Sequence, residues 1–290
     1  MKELDYFKPQ TMQEAFSRLE DNSARMFAGG TDMLVVLRTG RREASALVDV
    51  KGIPELNELS YDDQSGLTLG AAVPCYKIYE NKIIPNVYQA LGDSASLIGG
   101  IQIQSRASIG GNLCNAAPSA DAVPSLIAHG AIAIIGGPNG TRELPVEEFC
   151  TGPGQNALNN GECLISLKLP APGKNSGSMY LRFIPRNEMD IAVAGSGVSV
   201  VLSDDKSSII SARVSLASVA PTPLFVREAG DFLAGKNISD DVIAEAGQIA
   251  KRAAKPITDM RGTIEQRKHL CDVLTRRALT GAIARAKEAN

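Results

Sequence analysis

Apolar positions along this chain recur first at short, mixed spacings and later in long single-period runs. Met12, Ala15, Phe16 and Leu19 recur at helical spacing behind Thr11 and Glu14, a capping-box pair, which predicts a helix over about 11–21. Arg25 to Ala28 reads as a short strand, Met33 to Leu37 as a helix stopped at Gly40, and Ala46 to Val50 as a second strand. Such quick alternation predicts a small α/β unit. Gly66 to Val73 reads as a strand, Ile83 to Leu97 as mostly helical, and Ile98 to Ile109 as irregular, ending in a tight turn at Gly110-Gly111-Asn112. Val123 to Ala128 is expected as a short helix, with Ala131 to Ile135 and Cys163 to Leu169 as strands of an antiparallel α+β unit.

Pro170 to Gly177 has the composition of a linker. Beyond it the period lengthens: Met179 to Ile184, Ile191 to Leu202 and Ile209 to Ala220 predict three long strands, and Leu224 to Ala234, Asp240 to Ala254 and Ile264 to Ala284 predict helices. In the last, Leu270, Val273, Leu274, Ala278 and Ile283 fall on one face, leaving Arg276, Arg277 and Arg285 to face water. The expected domains are 1–172, with subdomains of about 1–60 and 61–172, and 177–290.

At 290 residues and 44% apolar content the chain suits two or three globular domains. A net charge of −2 and a pI near 5.8 supply no basic footprint, so neither nucleic acid nor an anionic membrane is expected as a partner. The start, MKELDYFKPQ, has no apolar run of signal-peptide length, and a cytoplasmic location is expected. Ala122 to Thr141 carries no Asp, Glu, Lys or Arg and approaches the length of a membrane span, but Pro124, Gly130, Gly136, Gly137, Pro138 and Gly140 break it. The cysteines at 75, 114, 150, 163 and 271 form no C-x-x-C pair and no metal spacing with His129 or His269. Reduced thiols are expected, with no zinc or iron–sulfur cluster in this chain.

The candidate chemistry lies in two stretches, Phe27 to Asp32 (FAGGTD) and Ala95 to Asp121 (ASLIGGIQIQSRASIGGNLCNAAPSAD). Each puts a Gly-Gly pair beside a hydroxyl and a small amide or carboxylate. Without a Cβ the main chain can bring successive N–H groups against an anion, a concavity that suits a diphosphate. Ser108, Asn112, Asn115 and Ser119 add neutral donors, and Asp121 an acceptor for sugar hydroxyls. The residues alone thus describe a dinucleotide held by backbone amides, although Gly29-Gly30 taken singly also reads as a plain turn between strand and helix. Gly195-Ser196-Gly197 is no nicotinamide fingerprint, since Val200 stands at the third glycine position and its neighbours alternate as a strand. There is no Ser-His-Asp order, H-E-x-x-H helix or Walker loop. Glu188 and Asp190 could pair for acid–base work, but Arg182, Arg186 and Asp190 read better as a charged loop.

AGGTD at 28–32 and SIGGNLCNAAPSAD at 108–121 resemble the two flavin-binding signatures of the FAD subunit of molybdenum hydroxylases, the xanthine dehydrogenase and carbon monoxide dehydrogenase family. Thr151-Gly152-Pro153-Gly154, Gly161-Glu162-Cys163-Leu164 and Asp190-Ile191-Ala192 follow in that family's order. The resemblance implies a two-subdomain FAD-binding fold, a small α/β unit plus an antiparallel-sheet α+β unit, followed by a domain of a three-stranded antiparallel sheet and a helix bundle. It implies FAD as cofactor, contacted by Ala28 and Asp32, with Gly29, Gly30 and Thr31 and the amides around Gly110 and Gly111 at the diphosphate. Ser108, Asn112, Ser119 and Asp121 would bond cofactor hydroxyls or phosphates, Ile103 would contact the cofactor, and Leu164 would lie over the isoalloxazine. Arg182 matches a basic position near the pyrimidine edge, where a cation stabilises negative charge on two-electron reduction. Ile101 and Gln104 depart from the family's Pro-Gln-Ile-Arg, removing one positive charge near the cofactor or a partner. The implied partners are a molybdopterin-binding large subunit, a 2Fe-2S small subunit that delivers electrons, and NAD or another acceptor. No substrate-activating base is expected in this chain. The alternatives are a free-standing NAD(P)H-dependent flavin reductase of the related fold and an assembly subunit that has lost FAD.

Overall fold

The structure is a computed structural model that describes residues 3–21 and 23–289, so the outer ends of the two expected domains, 1–2 and 290, lie outside the described residues. Strands Asp5–Phe7, Arg25–Phe27 and Ala46–Asp49 form a parallel sheet with Ala46–Asp49 in the middle. The central strand is buried at every position, as a parallel strand covered on both faces must be. Helix Met12–Leu19 lies against this unit through Met12, Ala15 and Leu19. Its capping pair forms as predicted at one end, Glu14 N donating to Thr11 Oγ1 at 3.2 Å, while the Glu14 carboxylate accepts from the amide of Gln10 at 2.8 Å.

The second unit is a five-stranded antiparallel sheet, ordered Leu59–Asp62, Gly66–Gly70, Cys163–Leu169, Ile132–Gly137 and Gly140–Pro145. Helices Gln89–Ala95 and Ala122–Ala128 share its core through Leu91 and Leu126, which join Leu69 and Leu167. Two expectations are corrected here. The segment taken as irregular contains a one-turn helix, Ile101–Gln104, and Gly110-Gly111-Asn112 is no turn but the opening of helix Ile109–Asn115. Ser108 caps that helix, its Oγ accepting from Gly111 N at 3.0 Å. Tertiary contact overrides the poor helix propensity of glycine: a Cβ on Gly110 would lie 2.5 Å from the carbonyl oxygen of Ala71.

The C-terminal strands Ser176–Phe183, Ala194–Leu202 and Ile209–Ala217 are antiparallel as expected, with a short fourth strand, Leu224–Phe225, added at the edge. That pairing delays the helix expected over 224–234, which runs Arg227–Leu233. Ser176 and Gly177 belong to a strand rather than a linker, because Gly177 lies against the Ile264–Glu288 helix, where a Cβ would meet Ala282 O at 2.2 Å. Helices Asp240–Ala253 and Ile264–Glu288 complete a core that includes Val198, Leu216, Ile249 and Leu279. Arg276 and Arg277 are exposed, but Arg285 is not the solvated charge expected. It binds Asp93 of the Gln89–Ala95 helix through two nitrogens at 2.6 and 3.0 Å, joining the C-terminal domain to the antiparallel unit. Ser199 and Ser215 strengthen the same junction by donating to the carbonyls of Ala128 and Pro124, each at 2.6 Å. Among the described residues no helix is long and apolar enough to cross a membrane.

Candidate functional site

The first Gly-Gly pair leaves strand Arg25–Phe27 and lands directly on the segment that leads to the second. A Cβ on Gly29 would sit 1.9 Å from the carbonyl oxygen of Arg106 and 3.0 Å from Ala107 N, so only glycine permits that approach. Gly30 has φ +74, and its Cβ would overlap the Phe27 ring at 2.4 Å. The two stretches together wall a cavity of about 790 Å³, within the size range of cofactor sites. Ala28, Gly29, Gly30, Thr31, Asp32, Ile103, Ser108, Gly110, Gly111, Asn112, Ser119, Asp121 and Leu164 all line it. Arg182, alone of the residues expected at a cofactor, does not.

Lys51 holds the first loop in place and was not foreseen. Its Nζ donates to Ala28 O at 2.9 Å and to Asp49 Oδ1 at 2.7 Å while lying 4.5 Å from the centre of the Phe27 ring. Burial by itself would raise the Asp49 pKa, but hydrogen bonds from Lys51 and from the Tyr6 hydroxyl outweigh it and hold the carboxylate below its usual range. Asp49-Val50-Lys51, at the exit of the second predicted strand, was the available signal. In the wall itself, Asp32 stands at the N-cap of Met33–Arg38 without capping it.

Arg42, in the same wall, donates to Gly154 O at 3.1 Å, tying the Thr151–Gly154 motif to the first unit. Glu162, also in the wall, accepts from Arg142 at 2.8 and 2.7 Å and from Asn159 N at 2.7 Å. The Arg142 bond holds Glu162 down at about 2 and fixes the Asn159–Gly161 turn. Arg142 lies on Gly140–Pro145, a strand the hydrophobic pattern did not reveal because only Leu144 in it is apolar besides Pro145. Cys114 lines the cavity as well, and burial pushes its thiol up to about 12, making it an unreactive wall. The cysteines are free, and no group able to hold a metal ion occurs among the described residues.

Asp121 precedes helix Ala122–Ala128 but does not cap it; Asn112 Oδ1 accepts from Ala122 N at 3.2 Å instead. The carboxylate is thereby turned to the C-terminal sheet, where Tyr180 donates to one oxygen and Arg182 to the other, both at 2.7 Å. Arg182 therefore belongs to strand Ser176–Phe183, and the loop pair is Arg186 with Asp190, at 3.4 Å. Gln104, at the family's arginine position, is a buried brace that donates to Ser96 O at 2.7 Å and accepts from Tyr79 at 3.0 Å. Ile101 is 70% exposed beside the Gly99–Gly100 rim.

A family model described as the FAD binding domain in molybdopterin dehydrogenase matches residues 2–172, and one described as the CO dehydrogenase flavoprotein C-terminal domain matches 179–282. The chain is 29% identical over 283 residues to the xanthine dehydrogenase FAD-binding subunit of Escherichia coli O157:H7, covering 97% of this chain and 96% of that one. It is 28% identical over 285 residues to the carbon monoxide dehydrogenase medium chain of Afipia carboxidovorans, covering 98% of each. Among solved structures, carbon monoxide dehydrogenase from Hydrogenophaga pseudoflava superposes with a TM-score of 0.93 at 27% identity, covering 98% of both chains. Quinoline 2-oxidoreductase from Pseudomonas putida 86 superposes with a TM-score of 0.90 at 25% identity, covering 99% of both.

Proposed function

We propose, because this chain belongs to the FAD-binding subunits of the molybdenum hydroxylase family and is the flavoprotein subunit of an oxidoreductase complex, that its cavity holds FAD extended between the two Gly-Gly stretches. The observation that carries this placement is the contact of Gly29 with Arg106, which brings both stretches onto one cavity. The residues fit the group. Backbone amides at Gly29 to Thr31 and at Gly110 suit a diphosphate without a cluster of cations, the Gly111 amide being engaged by Ser108, and the hydroxyls of Thr31, Ser108 and Ser119 can donate to phosphate or sugar oxygens. Leu164, from the central strand of the antiparallel sheet, supplies an apolar surface for a planar ring. Arg142, through Glu162, keeps the Asn159–Gly161 turn in the wall, and Lys51 keeps the first loop against the second.

In this reading residues 1–172 hold the cofactor and 177–290 cover part of it. When bound, FAD supplies a two-electron store, fed from 2Fe-2S clusters of a small partner subunit and emptied to NAD or another acceptor, while substrate is oxidised at a molybdopterin-bearing large subunit. The chain's own work is to bind, orient and shield. The decisive variant is Gly111→Val. Among the described residues outside its own helix backbone, a Cβ on Gly111 would meet Ser108 Oγ, a hydroxyl that can rotate aside, at a tight 3.0 Å, while it would project toward the cavity that the cofactor fills. Purified Gly111→Val should fold with little or no flavin. Wild-type flavin content in that variant would refute the placement.

A further inference from the structure

Gly195-Ser196-Gly197 opens no helix and lies inside a strand, yet its glycines are needed for packing. Gly195 is the cross-strand partner of Arg182, and a Cβ on it would lie 2.7 Å from the Tyr180 hydroxyl oxygen. A Cβ on Gly197 would lie 2.7 Å from Pro124 O, in the helix that follows Asp121. Together the two glycines form a notch in the C-terminal sheet that lets Ala122–Ala128 approach and leaves the Tyr180 hydroxyl free to reach Asp121.

Tyr180 is 1% exposed and the Arg182 side chain 3% exposed, and neither lines the cavity. Asp121 does line it, with both carboxylate oxygens already engaged from behind. The Arg182 Nε is buried without a partner, so the guanidinium is held on one oxygen and the hydroxyl takes the other. We infer that Tyr180 and Arg182 are positioning residues: from the C-terminal sheet they hold the Asp121 carboxylate in place for a cofactor hydroxyl, making FAD affinity depend on a bridge across the domain junction. This rests on the FAD reading above.

The electrostatics agree with the geometry. Burial, the largest influence, raises the Asp121 pKa on balance, and the Arg182 cation and the bonds from Tyr180 and Arg182 limit that rise. From the helix Ile109–Asn115 the facing group is the neutral Asn112, and Asp190 lies elsewhere in the same wall. With Arg182 removed, only the Tyr180 bond still opposes burial, and the carboxyl takes up a proton at a higher pH. A protonated Asp121 is a weaker acceptor for a sugar hydroxyl.

The test is FAD titration of the flavin-free full chain between about pH 5.5 and about pH 8.5, followed by flavin fluorescence. Wild type should change affinity less than about twofold across that range. Arg182→Met should bind more weakly throughout and about tenfold more weakly at the acid end than at the alkaline end. Adding Asp121→Asn to Arg182→Met should abolish the pH dependence, and Arg182→Lys should restore a flat profile. Tyr180→Phe, which removes only the hydroxyl, should weaken binding about fivefold. If Arg182→Met does not fold, Tyr180→Phe and Arg182→Lys decide the matter. Arg285→Met cuts the Asp93 contact at the same junction and should lower thermal stability while leaving the FAD profile flat. The inference is overturned if folded Arg182→Met and Tyr180→Phe bind like wild type, or if Arg285→Met reproduces the pH dependence, which would make the effect one of loosened domains. Failure of wild type to bind FAD at any pH is a separate outcome, and it removes the cofactor reading together with this inference.

Discussion

Gly29→Ala probes the closest approach in the site. The added Cβ would stand 1.9 Å from Arg106 O and 2.5 Å from Arg106 C, whereas ordinary contact begins near 3.4 Å, so the two loops must part by about 1.5 Å. Neither side yields easily. The Arg106–Ala107 segment is anchored from behind by Ala107 N to Ile103 O at 2.7 Å and Cys75 N to Ala107 O at 2.8 Å, and Ala28 O is held by Lys51 at 2.9 Å. The separation therefore opens the cavity that both loops line. An N–H bond to a phosphate oxygen does not survive a displacement of that size. Losing about two charge-assisted bonds at about 1.5 kcal/mol each weakens FAD by about 3 kcal/mol, or about 100-fold. Overpacking adds about 1–3 kcal/mol of lost stability. Calorimetric titration with FAD reads the first quantity and urea unfolding the second. Gly173→Ala is the control, since its Cβ would meet only Val201, at 3.6 Å, and neither quantity should move. A folded Gly29→Ala chain that binds FAD within about threefold of wild type would refute the shared grip of the two loops.

Two further outcomes concern stability against pH. His129 packs edge-on to Tyr88 at 5.2 Å and lies 3.3 Å from Ser178 Oγ, and burial, with Arg213 adding to it, lowers its pKa from 6.5 to about 4. Between those values the unfolded chain binds a proton that the folded chain refuses, so this contribution is complete above about pH 6.5 and is lost as pH falls toward 4. His129→Gln should flatten the decline by about 2 kcal/mol in urea unfolding compared at about pH 7 and about pH 4.5; a slope equal to wild type would sink the assignment. Glu162 has the opposite chemistry and the same direction. Its pKa falls from 4.5 to about 2 beside Arg142, so its stabilisation is present above about pH 4.5 and lost as pH drops toward 2. Glu162→Gln should cost about 1–2 kcal/mol at about pH 7, discounted for the solvent that reaches the pair, with the difference from wild type shrinking in acid. A deficit independent of pH would point to packing instead of charge.

Much of this protein was legible before folding. The helix around Ala15 and Leu19, the strands at Cys163–Leu169 and Ile209–Ala217, and the long last helix follow from local periodicity, which neighbours in sequence suffice to set. The doubled glycines and their small polar neighbours announced a site where backbone meets a dinucleotide. Only tertiary structure decided what each pair does: Gly29 and Gly30 make a bend, while Gly110 and Gly111 open a helix capped by Ser108. Only it recruited Lys51, took Arg285 from solvent to Asp93, and moved Arg182 from the cavity to a post behind Asp121. The physical reason is range. Propensity and hydrophobic spacing act over a few residues, whereas Gly29 meets Arg106 and Asp121 meets Tyr180 across long separations, and a charge is stable at such a junction only when the folded chain brings a partner to it.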